Sequence, residues 1–314
     1  MPGLDKAYSS VMRELWGSPI QWNTKKSYLE VARKLGVDEE TVRNRIKRLK
    51  ESGFLLGWRL VPNPTLLGRV STSLLLKFND SASKESAISR LTGMDGVVNI
   101  ASIYDKSLTL TVFDDEKRTA SKQIAGIGIS EDPLTTPSLR LVPSTFRMTQ
   151  LDWEIARLLL KEADKKLTDV AMQVKVSART VKRRLNLMMD ESAVFIMPIV
   201  DLRKAEGVSY QLLVRSEEGK KSELESLVAS RIDNLVFTAS DSRNGSIFGF
   251  TGTNMTEGNE ILDWVKQQKG IRTARLNIIE KVVHVYAWLE REVERRVSGY
   301  KTQVNLKDSV IETP

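Results

Sequence analysis

The sequence predicts an α+β protein made of two copies of one unit, each a winged helix-turn-helix domain followed by a ferredoxin-like βαββαβ domain. Three observations predict this class. The chain has 314 residues, more than one hydrophobic core usually organises. Two long stretches match each other 139 residues apart. In each copy a helix-turn-helix pattern is followed by alternating strand and helix patterns.

The internal match pairs residues 28–68 with residues 167–207 without a gap. Its identical positions are Val31/Val170, Ala32/Ala171, Val37/Val176, Thr41/Thr180, Val42/Val181, Arg45/Arg184, Val61/Val200 and Gly68/Gly207. A repeat of this length is a duplicated domain, not a short solenoid repeat. We therefore expect winged helix-turn-helix domains at 1–66 and 147–205, βαββαβ domains at 67–146 and 206–290, and a charged helix with a flexible tail at 291–314.

Each winged domain begins with apolar residues at helical spacing, in 4–16 and in 151–163. A second, short helix is expected at 24–35 and at 166–174. Asp38 and Ser177 follow as N-caps of a third helix. The side chains of these two residues can accept hydrogen bonds from the free amides of the first turn of that helix. In unit one the turn before this cap contains Gly36, whereas unit two has Lys175, so we expect a distorted turn there.

The third helix has an apolar stripe at i, i+4 and i+7, formed by Val42, Ile46 and Leu49 in unit one. After it, "FLLGWRLVPNP" and "AVFIMPIVDL" have strand-like apolar content broken by prolines, which predicts a two-stranded wing in each unit. The remainder of each unit reads as strand, helix, strand, strand, helix, strand. This order is that of an antiparallel ferredoxin-like sheet covered by two helices.

The face of the third helix opposite the stripe is basic in both units. The candidate DNA-binding residues are Arg43, Asn44, Arg45, Lys47 and Arg48 in unit one and Arg179, Lys182, Arg183 and Arg184 in unit two. Arg and Lys suit guanine and phosphate, and Asn suits adenine. Taken alone, such a run is typical of a solvated surface helix. This run recurs together with the cap, the turn and a small residue of the second helix, Ala32 in unit one and Ala171 in unit two. The recurrence favours duplex DNA as the partner, with the first copy dominant.

Composition narrows the function classes. The net charge is +8 and the isoelectric point is near 9.5, which favours an anionic partner. There is no cysteine and only one histidine, His284, so thiolate metal sites and multi-histidine clusters are excluded. Phosphate-loop, HExxH and GxSxG motifs are absent. We expect a cytoplasmic protein that is not an enzyme, has no membrane partner and carries no metal or cofactor.

A helix-turn-helix with a "TVRNRIKRLKESG" segment, a wing and a βαββαβ domain resembles the Lrp/AsnC family of transcriptional regulators. The resemblance covers nearly the whole chain, twice. It implies that one chain imitates the family's dimer, which forms by face-to-face packing of the sheets, and it leaves a further homodimer open. It also implies a small-molecule effector at loops between strands. The matching positions here are Asp105, Asn244 and Gly245.

Two other functions fit the same layout. The siroheme decarboxylases are similar tandem or paired Lrp-like proteins that bind a tetrapyrrole, but they use histidines and a His-Cys-Tyr-Arg stretch of which only Tyr104 is matched in "IASIYDKS". A protein-binding transcription scaffold is the third reading, and the basic helix face argues against it. We expect His284, in "VVHVYAW", to be a satisfied sheet residue and not a ligand.

Overall fold

The computed structural model describes residues 6–16, 27–127, 134–135, 142–205, 207–240 and 244–308. The α-helices in it are α1 Lys6–Trp16, α2 Tyr28–Leu35, α3 Glu39–Glu51, α4 Ser81–Leu91, α5 Thr119–Ala125, α6 Gln150–Leu159, α7 Leu167–Gln173, α8 Ala178–Asp190, α9 Lys221–Arg231, α10 Met255–Lys266 and α11 Ala287–Asp308. The strands are β1 Leu55–Pro62, β2 Val70–Lys77, β3 Val97–Ile103, β4 Ser107–Asp114, β5 Leu134–Thr135, β6 Val194–Val200, β7 Val208–Ser216, β8 Leu235–Ser240, β9 Gly245–Gly252 and β10 Ile271–His284.

The helix-turn-helix elements form where the sequence predicts them. We call α1–α3 with β1 headpiece one, and α6–α8 with β6 headpiece two. Ser27 and Glu30 form a capping box at the start of α2, and Asp38 and Ser177 cap α3 and α8 through their side chains. The apolar stripes on α3 and α8 are buried in one continuous core that also contains α1, α6 and α11.

The wing differs from the prediction of two strands within each unit. Each headpiece contributes a single strand, and β1 pairs antiparallel with β6, with Trp58 opposite Pro198 and Leu60 opposite Ile196. The nearly continuous apolar residues of 55–62 and 194–200 are thus buried by pairing with the other copy. Because each strand needs a partner for its backbone groups, this pairing ties the two headpieces together.

The eight remaining strands form a sheet in the order β5-β2-β4-β3-β10-β7-β9-β8. Strands β2–β5 form half-sheet one and β7–β10 form half-sheet two, each with the 4-1-3-2 order of a ferredoxin-like fold. The long strand β10 joins them: residues 271–278 pair with β7, and residues 279–284 pair with β3. The α+β class and the internal duplication are confirmed.

The C-terminal segment also differs from the prediction. The sequence predicts a flexible tail from Ser298, but α11 runs from Ala287 to Asp308. Its first half packs on α6 in the headpiece core through Trp288, Leu289, Val293 and Val297. The apolar spacing of these four residues explains why this segment is helical and docked. Residues 309–314, like 4–5 and 24–26 of the predicted helices, lie outside the described residues.

Candidate nucleic-acid interface and central cavity

Both headpieces form the same turn before the third helix. In headpiece one Gly36 has a left-handed φ of 65°, and the amide of Val37 donates to the carbonyl of Ala32 at 3.1 Å. In headpiece two Lys175 takes the same left-handed conformation with φ of 54°, and Val176 donates to Ala171 at 3.1 Å. The expected distortion at Lys175 is therefore wrong, because the lysine adopts the glycine conformation and bears its steric cost.

On α3 the cations lie beside carboxylates of the same helix. Arg43 Nη2 is 2.7 Å from Glu39 Oε1, and Arg43 Nε is 3.5 Å from Glu40 Oε2. Lys47 Nζ is 3.7 Å from Glu51 Oε1. All five side chains are exposed enough to be solvated, so these pairs are weak. They nevertheless lower the positive potential that this face offers to phosphate.

Other predicted residues of α3 are placed differently. Arg48 donates to the hydroxyl of Tyr8 on α1 at 3.3 Å, and this hydrogen bond raises the pKa of Arg48. Asn44 is exposed, while Arg45 is half-buried. In the part of the chain that the structure describes, the amide of Asn44 forms no side-chain hydrogen bond and Arg45 forms no ion pair. Both remain available to a ligand that approaches this face.

On α8 the exposed cations are uncompensated. Arg179, Lys182 and Arg183 are exposed, and among the described residues none of them has an ion-pair partner. The first turn of α8 contains no acidic residue, whereas that of α3 contains Glu39 and Glu40. Because the N-terminus of a helix carries partial positive charge, this end of α8 is the more favourable place for an anion.

Arg184 turns away from this face. Its Nε donates to Oδ1 of Asp152 on α6 at 2.7 Å, and its Nη2 donates to the other carboxylate oxygen. Asp152 is fully buried, and its hydrogen bond raises the pKa of Arg184. Phe146 lies under the guanidinium at 5.9 Å. Arg184 is thus held in the headpiece, although the sequence placed it among the DNA-binding residues.

The predicted effector residues lie at two hairpins. Asp105 is exposed between β3 and β4, and its carboxylate is 3.3 Å from Arg275 Nη2 of β10. The carbonyl of Asn244 accepts the amide of Ser216 at 2.9 Å, and Gly245 opens β9. Residues 241–243 of that loop lie outside the described residues. These contacts are those of ordinary hairpin ends, and none of the three residues lines the cavity between the half-sheets.

A cavity of about 200 Å³ lies between the two half-sheets and the paired wing strands. One wall carries hydroxyl and amide groups of half-sheet one, among them Ser71, Thr109 and Asn99. The opposite wall is mostly apolar and comes from half-sheet two, with Phe237 and Ile247. Sequence reasoning missed this site, because its lining is spread over both copies.

At the cavity lies a polar cluster of Arg59, Asn99 and His284, of which Arg59 is fully buried and the other two are partly buried. Arg59 on β1 is fully buried and donates from Nη2 to Asn99 Oδ1 at 2.8 Å. His284 Nδ1 lies 2.9 Å from the same oxygen. Burial lowers the pKa of Arg59 to about 10, and burial with the nearby Arg59 charge lowers the pKa of His284 to about 3. At neutral pH the histidine is therefore uncharged while the arginine is charged.

His284 is only half satisfied, so the expectation of a fully satisfied sheet residue is wrong. Its Nε2 is buried and has no hydrogen-bond partner among the described residues. The signal in the sequence was a lone Arg within "LLGWRLVP" and a lone His within "VVHVYAW", two stretches that are otherwise free of charged residues. Their proximity could not be read from the sequence, since 225 positions separate residues 59 and 284.

The chain is similar to a DNA-binding family model in headpiece one and to two HTH-type transcriptional regulators over about a third of its length. A family model described as a winged helix-turn-helix DNA-binding domain matches residues 20–55. The HTH-type transcriptional regulator Ptr1 of Methanocaldococcus jannaschii is 34% identical over 97 residues, which are 31% of this chain and 62% of that protein. An uncharacterized HTH-type transcriptional regulator of Pyrococcus horikoshii, PH0045, is 28% identical over 109 residues, 34% of this chain and 66% of that protein. The chain thus spans less than two thirds of the length of each of these relatives.

Over most of its length the chain shares the fold of a solved protein. The siroheme decarboxylase NirDL superposes with a TM-score of 0.57 at 15% identity, covering 95% of this chain and 99% of that chain. Its complex with an iron-uroporphyrin III analogue gives a TM-score of 0.56 at 14% identity, over 93% and 99% of the two chains. At this identity the likeness shows the shared two-unit architecture alone. No helix in the described ranges is long and apolar enough to cross a membrane.

Proposed function

We propose that this chain, an Lrp/AsnC-like protein with a DNA-binding winged helix-turn-helix, is a transcriptional regulator that binds duplex DNA through both headpieces. In this proposal α3 and α8 enter the major groove, where their exposed cations contact phosphates and base edges. The single chain supplies the two-headed arrangement for which a one-unit protein needs a dimer. It needs no second chain to present two helices to DNA.

The observation that carries the proposal is the repetition of one local geometry. Both headpieces have a left-handed residue in the turn, a capped third helix, a buried stripe and an exposed cationic face. Solubility would account for the exposed cations of a surface helix. It would not account for the repeated turn, because solubility does not depend on the direction in which the helix points. The match of headpiece one to a DNA-binding family model and the two curated regulators support the same function.

The ion pairs reverse the expected ranking of the two headpieces in their contribution to DNA binding. The sequence favoured headpiece one, but Arg43 and Lys47 lie beside carboxylates on their own helix. Arg179, Lys182 and Arg183 gain no such neighbour within the described part of the chain. Phosphate contacts release counterions and dominate affinity, so uncompensated cations bind DNA more strongly. We therefore assign the larger electrostatic share to headpiece two and leave Arg184 out of the contact set.

The experiment is to locate binding sites across the genome with the tagged chain and to footprint the strongest one with hydroxyl radicals. The proposal predicts two protected segments separated by about 34 Å of duplex, or a multiple of that distance, on one face of the helix. One protected segment only would contradict the use of both headpieces. Absence of any protection at salt concentrations below the physiological range would contradict DNA binding itself.

A tetrapyrrole-processing enzyme is the second candidate, favoured by the whole-chain likeness to NirDL. The lining of the inter-sheet cavity weighs against it, since it contains a single histidine and no cysteine. The single histidine of the chain is held by Asn99 and is uncharged. We propose a non-enzymatic role, and an absorbance titration with siroheme tests it. A Soret-band shift with stoichiometric saturation would favour the enzyme.

A further inference from the structure

The cavity between the half-sheets has two chemically distinct sides. Half-sheet two supplies an apolar wall that includes Val236, Phe237 and Ile247. Half-sheet one and the end of β10 supply hydrogen-bonding groups, including Thr109 and His284. A cavity with an apolar body and a few convergent polar groups is the usual form of a small-molecule site.

The protonation state of His284 follows from its neighbours. Arginine can only donate hydrogen bonds, so the Asn99 atom that faces Arg59 Nη2 at 2.8 Å is the oxygen. That oxygen can only accept, and therefore His284 Nδ1, 2.9 Å away, carries the proton. An uncharged imidazole with its proton on Nδ1 has a lone pair on Nε2. Arg59 thus fixes Nε2 of His284 as a hydrogen-bond acceptor.

This acceptor and two hydroxyls of the same cavity have no partner of their own. His284 Nε2, Thr109 Oγ1 and Ser209 Oγ are buried and make no hydrogen bond to a described residue, and all three residues line the cavity. Thr109 and Ser209 come from half-sheets one and two, respectively. A buried polar atom without a hydrogen bond is costly. A ligand with a donor for Nε2 and an acceptor for a hydroxyl would remove that cost.

The size of the cavity limits the ligand. A dry cavity of about 150 Å³ lined by apolar side chains is sufficient for benzene. The cavity here, at about 200 Å³, accommodates a single aromatic ring with a substituent, or a fused pair of rings. The charge of Arg59 lies behind Asn99 and disfavours a cation in this space. The lone pair on His284 Nε2 disfavours an anionic atom at the same place, so an uncharged molecule with a donor group meets all three restrictions.

We propose that the inter-sheet cavity is a binding site for a small, uncharged aromatic molecule with one O–H or N–H group, which donates to His284 Nε2 while its ring contacts the wall formed by Val236, Phe237 and Ile247. Phenol and indole represent this class. The site is separate from the hairpins with Asp105 and Asn244, and it does not depend on DNA binding. It belongs to the pair of units, because each half-sheet supplies one of its walls.

The test uses the fact that His284 is the only histidine in the chain. Labelling histidine with ¹⁵N gives one imidazole spectrum from the full-length protein. The proposal predicts a protonated Nδ1 and an unprotonated Nε2 at pH 7, and an upfield movement of the Nε2 resonance when phenol is added. Toluene has the same shape without the donor and should leave Nε2 unmoved. A protonated Nε2, or an Nε2 resonance that phenol does not move up to its solubility limit, overturns the proposal.

Binding measurements with His284→Leu provide a second readout. One hydrogen bond to a buried acceptor corresponds to roughly a tenfold difference in dissociation constant. In the variant, the dissociation constant of phenol divided by that of toluene should therefore rise about tenfold. Ala239→Phe, which fills the cavity, should abolish binding of both molecules. An unchanged ratio in His284→Leu overturns the assigned donor contact, and undiminished binding by a folded Ala239→Phe overturns the location.

Discussion

Arg184 of α8 and Asp152 of α6 form an ion pair in which the carboxylate is fully buried. Asp152 also accepts the amide of Thr149 at 2.7 Å, as part of the capping box of α6. The pair therefore joins the start of the first helix of headpiece two to the middle of its third helix. It sets the orientation in which α8 presents Arg179, Lys182 and Arg183.

Replacing Arg184 by Met should lower the free energy of unfolding by about 3 kcal/mol, because it leaves a buried carboxylate without its partner. Urea denaturation measures this change. Arg183→Met is the matched control on the exposed face and should change stability by less than about 0.5 kcal/mol. In DNA titrations the roles reverse, since Arg183→Met should reduce the salt dependence and Arg184→Met should not. A stability loss in the control equal to that in Arg184→Met would refute the inward role of Arg184.

Lys175→Gly should raise the free energy of unfolding by roughly 0.5–1 kcal/mol, since a side chain at this left-handed position is strained. Lys175→Ala removes the same charge but keeps a Cβ at that φ, and it should give no such gain. Gly36→Ala should lose about 1 kcal/mol, although a Cβ there would meet no atom within 4 Å. Equal effects of Gly and Ala at position 175 in thermal unfolding would show that charge, not backbone strain, is responsible.

Acidification should destabilise the protein through His284. Its pKa is lowered from 6.5 to about 3 on folding, so between these values the unfolded chain binds one more proton than the folded chain. This contribution to stability is present above pH 6.5 and is lost as the pH falls toward 3, with a slope of up to about 1.4 kcal/mol per pH unit. Between pH 7 and 5 the loss is about 2 kcal/mol. Urea titrations of His284→Gln should not show this loss. A pH profile of stability identical to that of the wild type would count against the role assigned to His284.

Glu39→Gln with Glu40→Gln should strengthen DNA binding about three- to tenfold, because Arg43 is released and two charges that repel phosphate are removed. Fluorescence anisotropy with a labelled duplex measures the change. Glu85→Gln, which breaks the 2.8 Å pair between Glu85 of α4 and Lys281 of β10, is the control and should not alter affinity. Weaker binding by the double variant would indicate that these carboxylates themselves read bases.

Much of the fold follows from local patterns in the sequence. The helix caps at Asp38 and Ser177 and the buried stripe of Val42, Ile46 and Leu49 were predicted from residue type and spacing, and the structure confirms them. Such features depend on neighbours within about four positions along the chain. The duplication was visible for the same reason, since both copies keep these local signals.

The features that the sequence did not reveal depend on distant partners. Strand β1 has the composition of a wing strand, but only the structure shows that its partner is β6 from the other copy. Arg45 and Arg184 align in the repeat, yet only Arg184 meets a buried Asp152. The Arg59, Asn99 and His284 cluster joins three segments, and its position at the cavity depends on how the half-sheets face each other.

The most direct test of the DNA-binding account is the salt dependence of affinity for a chosen duplex. Wild type is compared with Arg179→Ala/Lys182→Ala/Arg183→Ala. The control variant of equal net charge is Lys220→Ala/Lys266→Ala/Lys269→Ala, at the ends of helices α9 and α10. The account predicts that the slope of log K against log salt falls by about 0.9 for each phosphate that the α8 variant no longer neutralises, and stays unchanged in the control. Identical slopes for wild type and the α8 variant would contradict the placement of α8 against the phosphates.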